Sequence, residues 1–252
     1  MEQFEGDRGG RECEGELPDA AVYPGQQPVQ KGIRVVEHAS PALLGDDELV
    51  PRTETPWGPW EPASLAEVVT LFQGFAASWW VSGGYAIELA VGRSFREHGD
   101  VDISVLHRDQ LSVRALLAGW DVHAADPPGT LRPWPVGEAL PDHVHDIWAR
   151  EHSDGPWRFQ VMLDVAEDDV WVYRRDARIR RPLPTLTIRE NGVVRIAPEV
   201  QLLFKAKSPR PKDERDFAEV LPTLDRVRRR WLDEALAVEQ GDHPWRERLQ
   251  AN

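Results

Sequence analysis

The sequence predicts an α+β fold in which helices flank a small mixed β-sheet and a helical part follows at the C-terminus. Three observations support this prediction. Helix and strand patterns alternate from residue 61 onward, the segments DVDISVL and WRFQVMLDVAE alternate apolar and polar residues as strands do, and helical spacing dominates after Pro198. We therefore expect three regions: a loosely ordered extension over residues 1–60, a core over residues 61–190 and a helical region over residues 191–252.

The first predicted elements are a helix, a strand and a second helix. Ser64 can cap a helix over residues 63–76, in which apolar residues recur at helical spacing: Leu65, Val68, Val69 and Phe72. The stretch SWWVSGG is typical of a short strand that ends in a glycine turn. The stretch YAIELAVGR then predicts a helix that ends near Gly92, because glycine commonly follows the last residue of a helix.

The later predicted elements begin with the strand DVDISVL and a helix over RDQLSVRALLAGW that ends at Gly119. Proline, glycine and histidine become frequent between Asp121 and Pro156, which indicates short strands or a hairpin before the strand WRFQVMLDVAE. The stretch NGVVRIAPEVQLLFKAKS predicts a turn and a short strand that place Pro198 in the first turn of a helix. Two helices separated near Pro222 follow.

The composition limits the classes of partner. The 252 residues carry a formal net charge of −13, and nucleic-acid affinity comes largely from clustered Lys and Arg, so a nucleic-acid partner is disfavoured. Cys13 is the only cysteine, so no intrachain disulfide is available, which is typical of a reducing compartment. The acidic N-terminal stretch lacks the apolar segment of a secretory signal, and no apolar run has membrane-spanning length. We therefore expect a cytoplasmic protein without a membrane segment.

Two aspartates, Asp100 and Asp102, stand one residue apart in REHGDVDISV. If both lie in a strand, their side chains project from the same face and repel each other unless a cation lies between them. Mg²⁺ commonly takes one or two carboxylates together with phosphate oxygens, so the pair indicates a magnesium site. The alternative is that Asp100 belongs to a turn and only Asp102 lies in the strand.

A pair of glycines, Gly83 and Gly84, lies between a predicted strand and a predicted helix. Backbone N–H groups at such a turn, together with a helix N-terminus, can bind a phosphate group. Tight packing alone is the commoner explanation of a glycine pair in this position. Combined with the two aspartates on the next strand, however, the turn predicts a site for a nucleotide phosphate and a metal ion.

At this point the residues resemble a known family. The stretch WWVSGGYAIELAVGRSFREHGDVDISV resembles the nucleotidyltransferase superfamily that includes DNA polymerase beta, and within it the aminoglycoside nucleotidyltransferase branch. That branch carries Gly-Gly-aromatic-Ala-Ile, then Gly-Arg and Arg-x-His-x-Asp-x-Asp. The stretch APEVQLLFKAKSPRPKDERDF resembles the Lys-rich C-terminal motif of related resistance-type enzymes. The resemblance begins near residue 61 and implies a nucleotidyltransferase core that uses Mg²⁺ with ATP or another NTP.

The resemblance also implies roles for individual residues. Three residues are expected to contact the triphosphate: Ser82, Gly83 and Gly84. Asp100 and Asp102 are expected to bind Mg²⁺, and Asp164 is the best match to the third carboxylate of the family, a catalytic and metal-binding residue. A carboxylate on an adjacent strand can also assist deprotonation of an attacking hydroxyl. The alternatives are that Asp164 only pairs with an arginine, or that Asp168 or Asp169 takes its place.

Cationic side chains complete the predicted site. Lys205 interrupts the apolar run VQLLF, so we expect it to face the nucleotide phosphates, with Lys207 as a second candidate that is nearly as compatible with the surface. Arg96 either binds phosphate or braces the aspartate strand. Asp213 and Asp216 are expected to hold helices together. A competing interpretation combines three histidines with the aspartates as a hydrolase metal cluster: His98, His143 and His145.

The predicted activity is a metal-dependent transfer of a nucleoside monophosphate, AMP from ATP, to a hydroxyl of a small molecule. The acidic composition suits a cationic acceptor, and an aminoglycoside antibiotic is what the resemblance implies. Two alternatives remain open. In the first, the acceptor is a tRNA end or a protein hydroxyl, as in toxin-type nucleotidyltransferases. In the second, the chain binds a nucleotide without catalysing transfer.

Overall fold

The computed structural model describes residues 53–251. The described strands are β1 (Thr53–Thr55), β2 (Gly58–Trp60), β3 (Trp79–Val81), β4 (Asp102–Leu106), β5 (Asp121–Ala124), β6 (Arg132–Pro133), β7 (Asp146–Arg150), β8 (Phe159–Glu167), β9 (Val170–Val172), β10 (Arg180–Pro182), β11 (Thr187–Glu190) and β12 (Val193–Ile196). The described helices are α1 (Leu65–Phe72), α2 (Gly83–Val91), α3 (Gln110–Leu116), α4 (Leu183–Leu186), α5 (Pro198–Ala206), α6 (Pro211–Val220), α7 (Arg226–Gln240) and α8 (Pro244–Gln250). Across residues 53–251, none of these helices is long and apolar enough to cross a membrane.

A mixed sheet forms the centre of the fold. Its main path runs β11-β12-β3-β4-β8-β7-β5-β6, and β9 pairs with both β8 and β10. The pairs β12/β3 and β4/β8 are parallel, whereas the other pairs in the sheet are antiparallel. This arrangement, with helices beside the sheet and at the C-terminus, confirms the predicted α+β class.

The register between β4 and β8 fixes which side chains share a face. Asp102 lies opposite Gln160, and Leu106 lies opposite Asp164. Phe159, Val161 and Leu163 alternate along β8 and are buried in the core, as the sequence pattern predicts. The intervening positions are polar or flexible side chains that line a cavity: Gln160, Met162 and Asp164.

Local signals explain most element boundaries. The side chain of Ser64 and the backbone of Glu67 form a capping box at the start of α1. Gly92 ends α2 in the left-handed conformation at φ 80°, where a side chain would be strained. Pro198 occupies the first turn of α5, where its missing N–H costs nothing. These predictions are confirmed, as are a break at Pro222 between α6 and α7 and a strand at WWV.

Several boundaries differ from the prediction. Helix α1 ends at Phe72 rather than near residue 76, before the sequence GFAAS, and α3 ends at Leu116 rather than Gly119. The irregular stretch after Asp121 forms β5 and β7, which pair with each other, together with the two-residue strand β6. The sequence pattern missed β11 because this edge strand, TIRE, is half exposed and largely polar, and it missed α8 because seven residues give little periodicity.

The predicted N-terminal extension is partly described. Residues 53–60 form the β1/β2 hairpin, which packs on the core through Trp60, whose Nε1 donates a 2.6 Å hydrogen bond to Gly99 O. Trp157 N also donates to Pro59 O at 2.8 Å. The hairpin therefore braces the turn that precedes Asp100. Residues 1–52, which hold the rest of the predicted extension, lie outside the described residues.

The C-terminal helices pack against one another and against α2. Helix α5 contacts α2, α6 and α7, and α7 contacts α8. Phe217 of α6 stacks on Trp245 of α8 with ring centroids 4.3 Å apart and planes 11° from parallel. This packing holds α5 beside the end of β3, and the polar residues of α5 thereby reach the same cavity as the residues of β4 and β8.

Candidate active site

A cavity of about 410 Å³ lies where β4, β8, α2 and α5 meet. Every residue predicted for the site lines it: Ser82, Gly83, Gly84, Arg96, Asp100, Asp102, Asp164, Lys205 and Lys207. The structure therefore brings the predicted residues to one cavity. What each residue does there depends on its individual contacts.

The turn between β3 and α2 requires glycine at both predicted positions. Gly83 has φ +65°, and a Cβ atom on it would lie 2.1 Å from Asp102 Oδ2, closer than atoms can approach. A Cβ atom on Gly84 would lie 2.3 Å from His98 Nδ1. Ser82 N donates to Asp102 O at 2.9 Å, so the turn is held directly against the start of β4. The N-terminus of α2 thus opens beside the aspartates without a side-chain cap.

The two predicted metal ligands come from different local structures. Strand β4 begins at Asp102, and Asp100 lies in the turn before it, so the alternative assignment of Asp100 holds. Both side chains nevertheless line the cavity. Burial, the Asp100 carboxylate and the Asp146 carboxylate together raise the pKa of Asp102 to about 7, whereas Lys205 and Lys212 act in the opposite direction. A buried carboxylate with this surrounding charge fits a site for a cation.

Gln160 supports Asp102 from the neighbouring strand. In the amide orientation that satisfies both of its neighbours, Gln160 Nε2 donates to Asp102 Oδ1 at 3.1 Å and Gln160 Oε1 accepts from Trp148 Nε1 at 2.8 Å. The pairing of β7, β8 and β4 places these three side chains in a row across the sheet. Trp148 therefore fixes the amide that orients the aspartate.

Asp164 lies in the same cavity but away from the aspartate pair. It stands opposite Leu106, four positions beyond Asp102 in the register, and its carboxylate interacts with Ser104, which lies between Asp102 and Leu106 on β4. The described part of the chain holds no group of three His, Cys, Asp or Glu side chains placed to bind one metal ion. That Asp164 is a third ligand of the same ion therefore stays a prediction.

The environment of Asp164 instead suits a proton acceptor. Burial raises the pKa of Asp164 to about 6, although hydrogen bonds from Trp171 and Ser104 and the charge of Arg174 act in the opposite direction. Trp171 Nε1 donates to Asp164 Oδ1 at 3.2 Å. Ser82 Oγ and Ser104 Oγ are 2.7 Å apart, and because Ser104 donates to the ionised Asp164, Ser82 donates to Ser104. A buried hydrogen-bond chain thus links the glycine turn to Asp164.

Two of the predicted phosphate-binding cations are already paired. Arg96 donates twice to Asp216, from Nε at 2.7 Å and from one Nη at 2.9 Å, so it ties the loop before Asp100 to α6 rather than to the aspartate strand. Lys205 Nζ lies 2.8 Å from Asp216 and 3.2 Å from Asp213, and its side chain is only 8% exposed. The expected role of Asp213 and Asp216 in holding helices together agrees with these contacts.

Two lysines at the rim of the cavity have no such partner among the described residues. Lys207 and Lys212 line the cavity, are exposed and make no ion pair within residues 53–251. Lys212 lies near enough to Asp102 to lower its pKa. These two lysines are therefore better placed than Arg96 or Lys205 to meet a phosphate chain.

The loop that leads to Asp100 is anchored by Glu88 of α2. Its Oε1 accepts from the backbone N–H groups of Phe95 at 2.7 Å and Arg96 at 3.0 Å, and His98 Nε2 lies 3.1 Å from its Oε2. Burial opposes ionisation of Glu88, but the hydrogen bonds from His98, Phe95 and Arg96 prevail and lower its pKa to about 2. The guanidinium of Arg96 can only donate, so His98 Nδ1, which lies 3.0 Å from it, accepts. The ring proton of His98 is therefore on Nε2, the nitrogen that faces Glu88.

Replacing Glu88 with glutamine should destabilise the protein at pH 7 and matter less in acid. The folded pKa is depressed, so the stabilisation is present above the unfolded value of about 4.5 and is lost as the pH falls towards 2. Urea unfolding of wild type and Glu88→Gln at several pH values checks this. Glu234→Gln, in an exposed pair with Arg230, serves as the control and should stay close to wild type. A difference between wild type and Glu88→Gln that does not shrink in acid would contradict the anchoring role.

The histidines do not form the competing metal cluster. His98 is buried against Glu88, His143 Nε2 lies 3.0 Å from Asp126, and His145 Nδ1 lies 3.3 Å from Leu163 O. Only His145 lines the cavity. The three side chains thus have separate partners, and no group of them within the described residues is placed to bind one ion.

Sequence reasoning missed several residues of the site. Gln201 Oε1 accepts from Gly83 N at 2.8 Å, and it lies one helical turn before Lys205 on the face of α5 that meets the cavity. A glutamine within the apolar run PEVQLLF was an available signal for it. Asp146, Gln160 and Trp148 gave no comparable signal, because their neighbours come from other strands.

Comparisons with known proteins give one family match. Residues 64–220 match the profile of a protein family described as Aminoglycoside-2''-adenylyltransferase. No curated protein matches the chain significantly. Among solved structures, the lincosamide antibiotic adenylyltransferase LnuA with lincomycin bound is 16% identical with a TM-score of 0.45, over 64% of this chain and 96% of that one.

Two structures of ANT(2'')-Ia match the chain to a comparable degree. The crystal structure in complex with adenylyl-2''-tobramycin is 11% identical with a TM-score of 0.45, over 69% of this chain and 95% of that one. The solution structure is 14% identical with a TM-score of 0.46, over 73% of this chain and 90% of that one.

Proposed function

The chain belongs to the aminoglycoside-2''-adenylyltransferase family, and on that premise we propose that it transfers AMP from ATP to a hydroxyl group of a small molecule with the help of Mg²⁺. The observation that carries the proposal is the meeting of Asp100, Asp102 and the glycine turn at one cavity. Membership in the family makes the chain a nucleotidyltransferase. The nucleotide, the metal ion and the acceptor are the parts that we propose.

The aspartate pair fits a divalent metal ion. Asp100 and Asp102 would hold it, and two carboxylates leave positions for phosphate oxygens, as Mg²⁺ prefers. When bound, such an ion neutralises charge on the phosphates and on the departing pyrophosphate. Gln160 keeps the Asp102 carboxylate in place, since it donates to one of its oxygens.

The glycine turn and the rim lysines suit the triphosphate. The N-terminus of α2 lies at the turn, where helix N–H groups favour an anion. The absence of a side chain on Gly83 and Gly84 lets Asp102 and His98 pack directly against this turn. Gln201 holds Gly83 N–H and so orients the turn. Lys207 and Lys212 supply positive charge at the rim, whereas Arg96 and Lys205 position α6 and the loop before Asp100.

Asp164 is proposed to take the proton from the acceptor. The acceptor oxygen forms a bond to the α-phosphorus, the bond from that phosphorus to the bridging oxygen of the β-phosphate breaks, and pyrophosphate leaves. The hydroxyl proton passes to Asp164, whose pKa of about 6 keeps it ionised at neutral pH yet basic enough to accept. The hydrogen bonds from Trp171 and Ser104 hold this carboxylate in a fixed position.

An acceptor screen tests the proposed function. The protein is incubated with ATP, Mg²⁺ and separate aminoglycoside and lincosamide antibiotics, and products are identified by mass spectrometry. At least one acceptor should gain one AMP, with an equal amount of pyrophosphate released, and both products should disappear when EDTA replaces Mg²⁺. Transfer that continues in EDTA would rule out the metal dependence, and ATP binding without any product would favour a non-catalytic module.

A further inference from the structure

The hairpin β1/β2 reaches the aspartate pair from outside the part of the chain that matches the family. It ends at residue 60, before the matched residues 64–220 begin. Glu61 N, directly after the hairpin, donates to Trp157 O at 3.0 Å, which joins the hairpin to the segment that enters β8. Gln160, the residue that supports Asp102, follows on that strand. The hairpin is therefore placed to act on the metal site.

Two tryptophans, Trp60 of the hairpin and Trp148 of β7, meet beside the aspartate pair. Their rings pack edge to face, with centroids 4.9 Å apart and planes 73° from parallel. Each indole N–H has its own partner. Trp60 Nε1 donates to Gly99 O at 2.6 Å, and Trp148 Nε1 donates to Gln160 Oε1 at 2.8 Å. We call Trp60 and Trp148 the tryptophan pair.

Trp60 holds the backbone that leads into Asp100. The carbonyl that it binds belongs to the peptide between Gly99 and Asp100. A Cβ atom on Gly99 would meet nothing within 4 Å, so steric contact does not fix this turn, and glycine has more backbone freedom than any other residue. Trp60 itself is buried. A rigid donor therefore fixes an otherwise permissive turn.

Trp148 acts on Asp102 through Gln160. Gln160 N donates to the carbonyl of Val101, the fully buried residue between the two aspartates, at 3.0 Å. The Gln160 side chain donates to Asp102 Oδ1. A side-chain amide that turned over would present its oxygen to the carboxylate and repel it, and the indole N–H of Trp148 prevents this by binding that oxygen.

The tryptophan pair thus connects the supports of both carboxylates through one packed contact. Two carboxylates repel each other when no cation lies between them, and Mg²⁺ demands ligands in near-octahedral positions. Residues that orient the ligands of a metal ion commonly change its affinity although they do not touch it. The contact at 4.9 Å keeps the turn before Asp100 in register with the amide beside Asp102.

We propose that the tryptophan pair positions Asp100 and Asp102 for a divalent metal ion, and that Trp60 makes the hairpin a part of the metal site. Both tryptophans are positioning residues, because neither lines the cavity and each acts through Gly99 or Gln160. The inference rests on the proposed function, since it concerns the metal ion of the same transfer.

Mn²⁺ binding tests the proposal independently of catalysis. Electron paramagnetic resonance of free Mn²⁺, without nucleotide, gives the affinity of wild type, Trp60→Phe and Trp148→Phe, and Asp102→Asn shows which part of the binding belongs to this site. Phenylalanine keeps an apolar ring and removes the N–H donor. Each tryptophan variant should bind Mn²⁺ about tenfold or more weakly than wild type. In the transfer reaction, the Mg²⁺ concentration for half-maximal rate should rise similarly, while the rate at saturating Mg²⁺ recovers.

Two further variants separate positioning from general packing. Trp57 lies in the same hairpin and contacts Trp148 at 5.6 Å, but its indole N–H donates to no residue of 53–251, so Trp57→Phe should bind Mn²⁺ as wild type does. Trp148→Phe should cause no further loss in a Gln160→Leu background, because it acts through Gln160. Thermal unfolding identifies the temperature at which all variants are folded.

The outcomes separate the two proposals. If folded Trp60→Phe binds Mn²⁺ as tightly as wild type, if Trp57→Phe loses as much affinity as Trp60→Phe, or if wild type and Asp102→Asn bind Mn²⁺ equally, the positioning role is wrong even if AMP transfer is confirmed. If the affinities change as expected but no acceptor gains AMP, the metal site and its tryptophan pair stand and the proposed transferase activity fails.

Discussion

Replacing Asp102 with asparagine should reduce AMP transfer by a factor on the order of 10³ or more, because the substitution removes a charge that the proposed metal ion requires. Asparagine keeps the size of the side chain, and its oxygen can still accept from Gln160. The loss should therefore reflect chemistry rather than misfolding. Turnover with Mg²⁺ and saturating ATP, once an acceptor is known, measures it.

The same substitution should not destabilise the protein without metal. The folded pKa of Asp102 is raised above its unfolded value of 3.8, so the ionised carboxylate weakens folding at high pH and this penalty fades as the pH falls from about 7 towards 3.8. Asp102→Asn should thus be at least as stable as wild type at pH 8. Asp142→Asn, at an exposed position away from the cavity, is the control for both readouts and should resemble wild type. A rate of AMP transfer in Asp102→Asn equal to that of wild type would contradict the proposed mechanism.

Replacing Gly83 with alanine should reduce AMP transfer about 100-fold or more, because the new Cβ atom displaces the Asp102 carboxylate. A catalytic group that moves by about 1 Å loses much of its contribution to the rate. The collision is with the carboxylate itself, at 2.1 Å from Oδ2, and not with a flexible chain end at the surface. The positive φ of Gly83 adds backbone strain of about 1–2 kcal/mol for any residue with a side chain. Transfer rate and thermal unfolding should be measured together.

The variant Gly92→Ala separates the two effects of Gly83→Ala, which are backbone strain and the displacement of Asp102. Gly92 also has a positive φ, of 80°, but a Cβ atom on it would meet nothing within 4 Å. Gly92→Ala should therefore lose a similar amount of stability and keep its activity. If the two variants lose activity equally, the contact between the glycine turn and Asp102 is not what limits transfer.

The local parts of this site could be predicted from the sequence. The strand-to-helix turn at Gly83 and Gly84, the helix end at Gly92 and the start of α5 at Pro198 depend on backbone preferences that single residues reveal. The mixed sheet followed because strand and helix periodicities alternate. The aspartate pair was recognisable because two carboxylates one residue apart require a compensating charge, although only Asp102 lies in the strand.

The relations between distant segments could not be predicted in the same way. Alternation showed that Asp164 lies on a strand, but its offset from Asp102 depends on the register of β4 against β8, which packing sets. The pairing of Arg96 and Lys205 with Asp216 depends on how α6 docks. The charged side chains that line the cavity could not be read from a net charge of −13, because composition does not say which charges meet in one place.

The central claim is that the reaction moves the nucleoside monophosphate and not the terminal phosphate. Parallel reactions with ATP labelled at the α-phosphorus and at the γ-phosphorus test it most directly, with Mg²⁺ and an acceptor found in the screen. We predict that the α label appears in the acceptor and the γ label in pyrophosphate. Appearance of the γ label in the acceptor, or of the α label only in free AMP or ADP, would contradict the assignment of this site to nucleotidyl transfer.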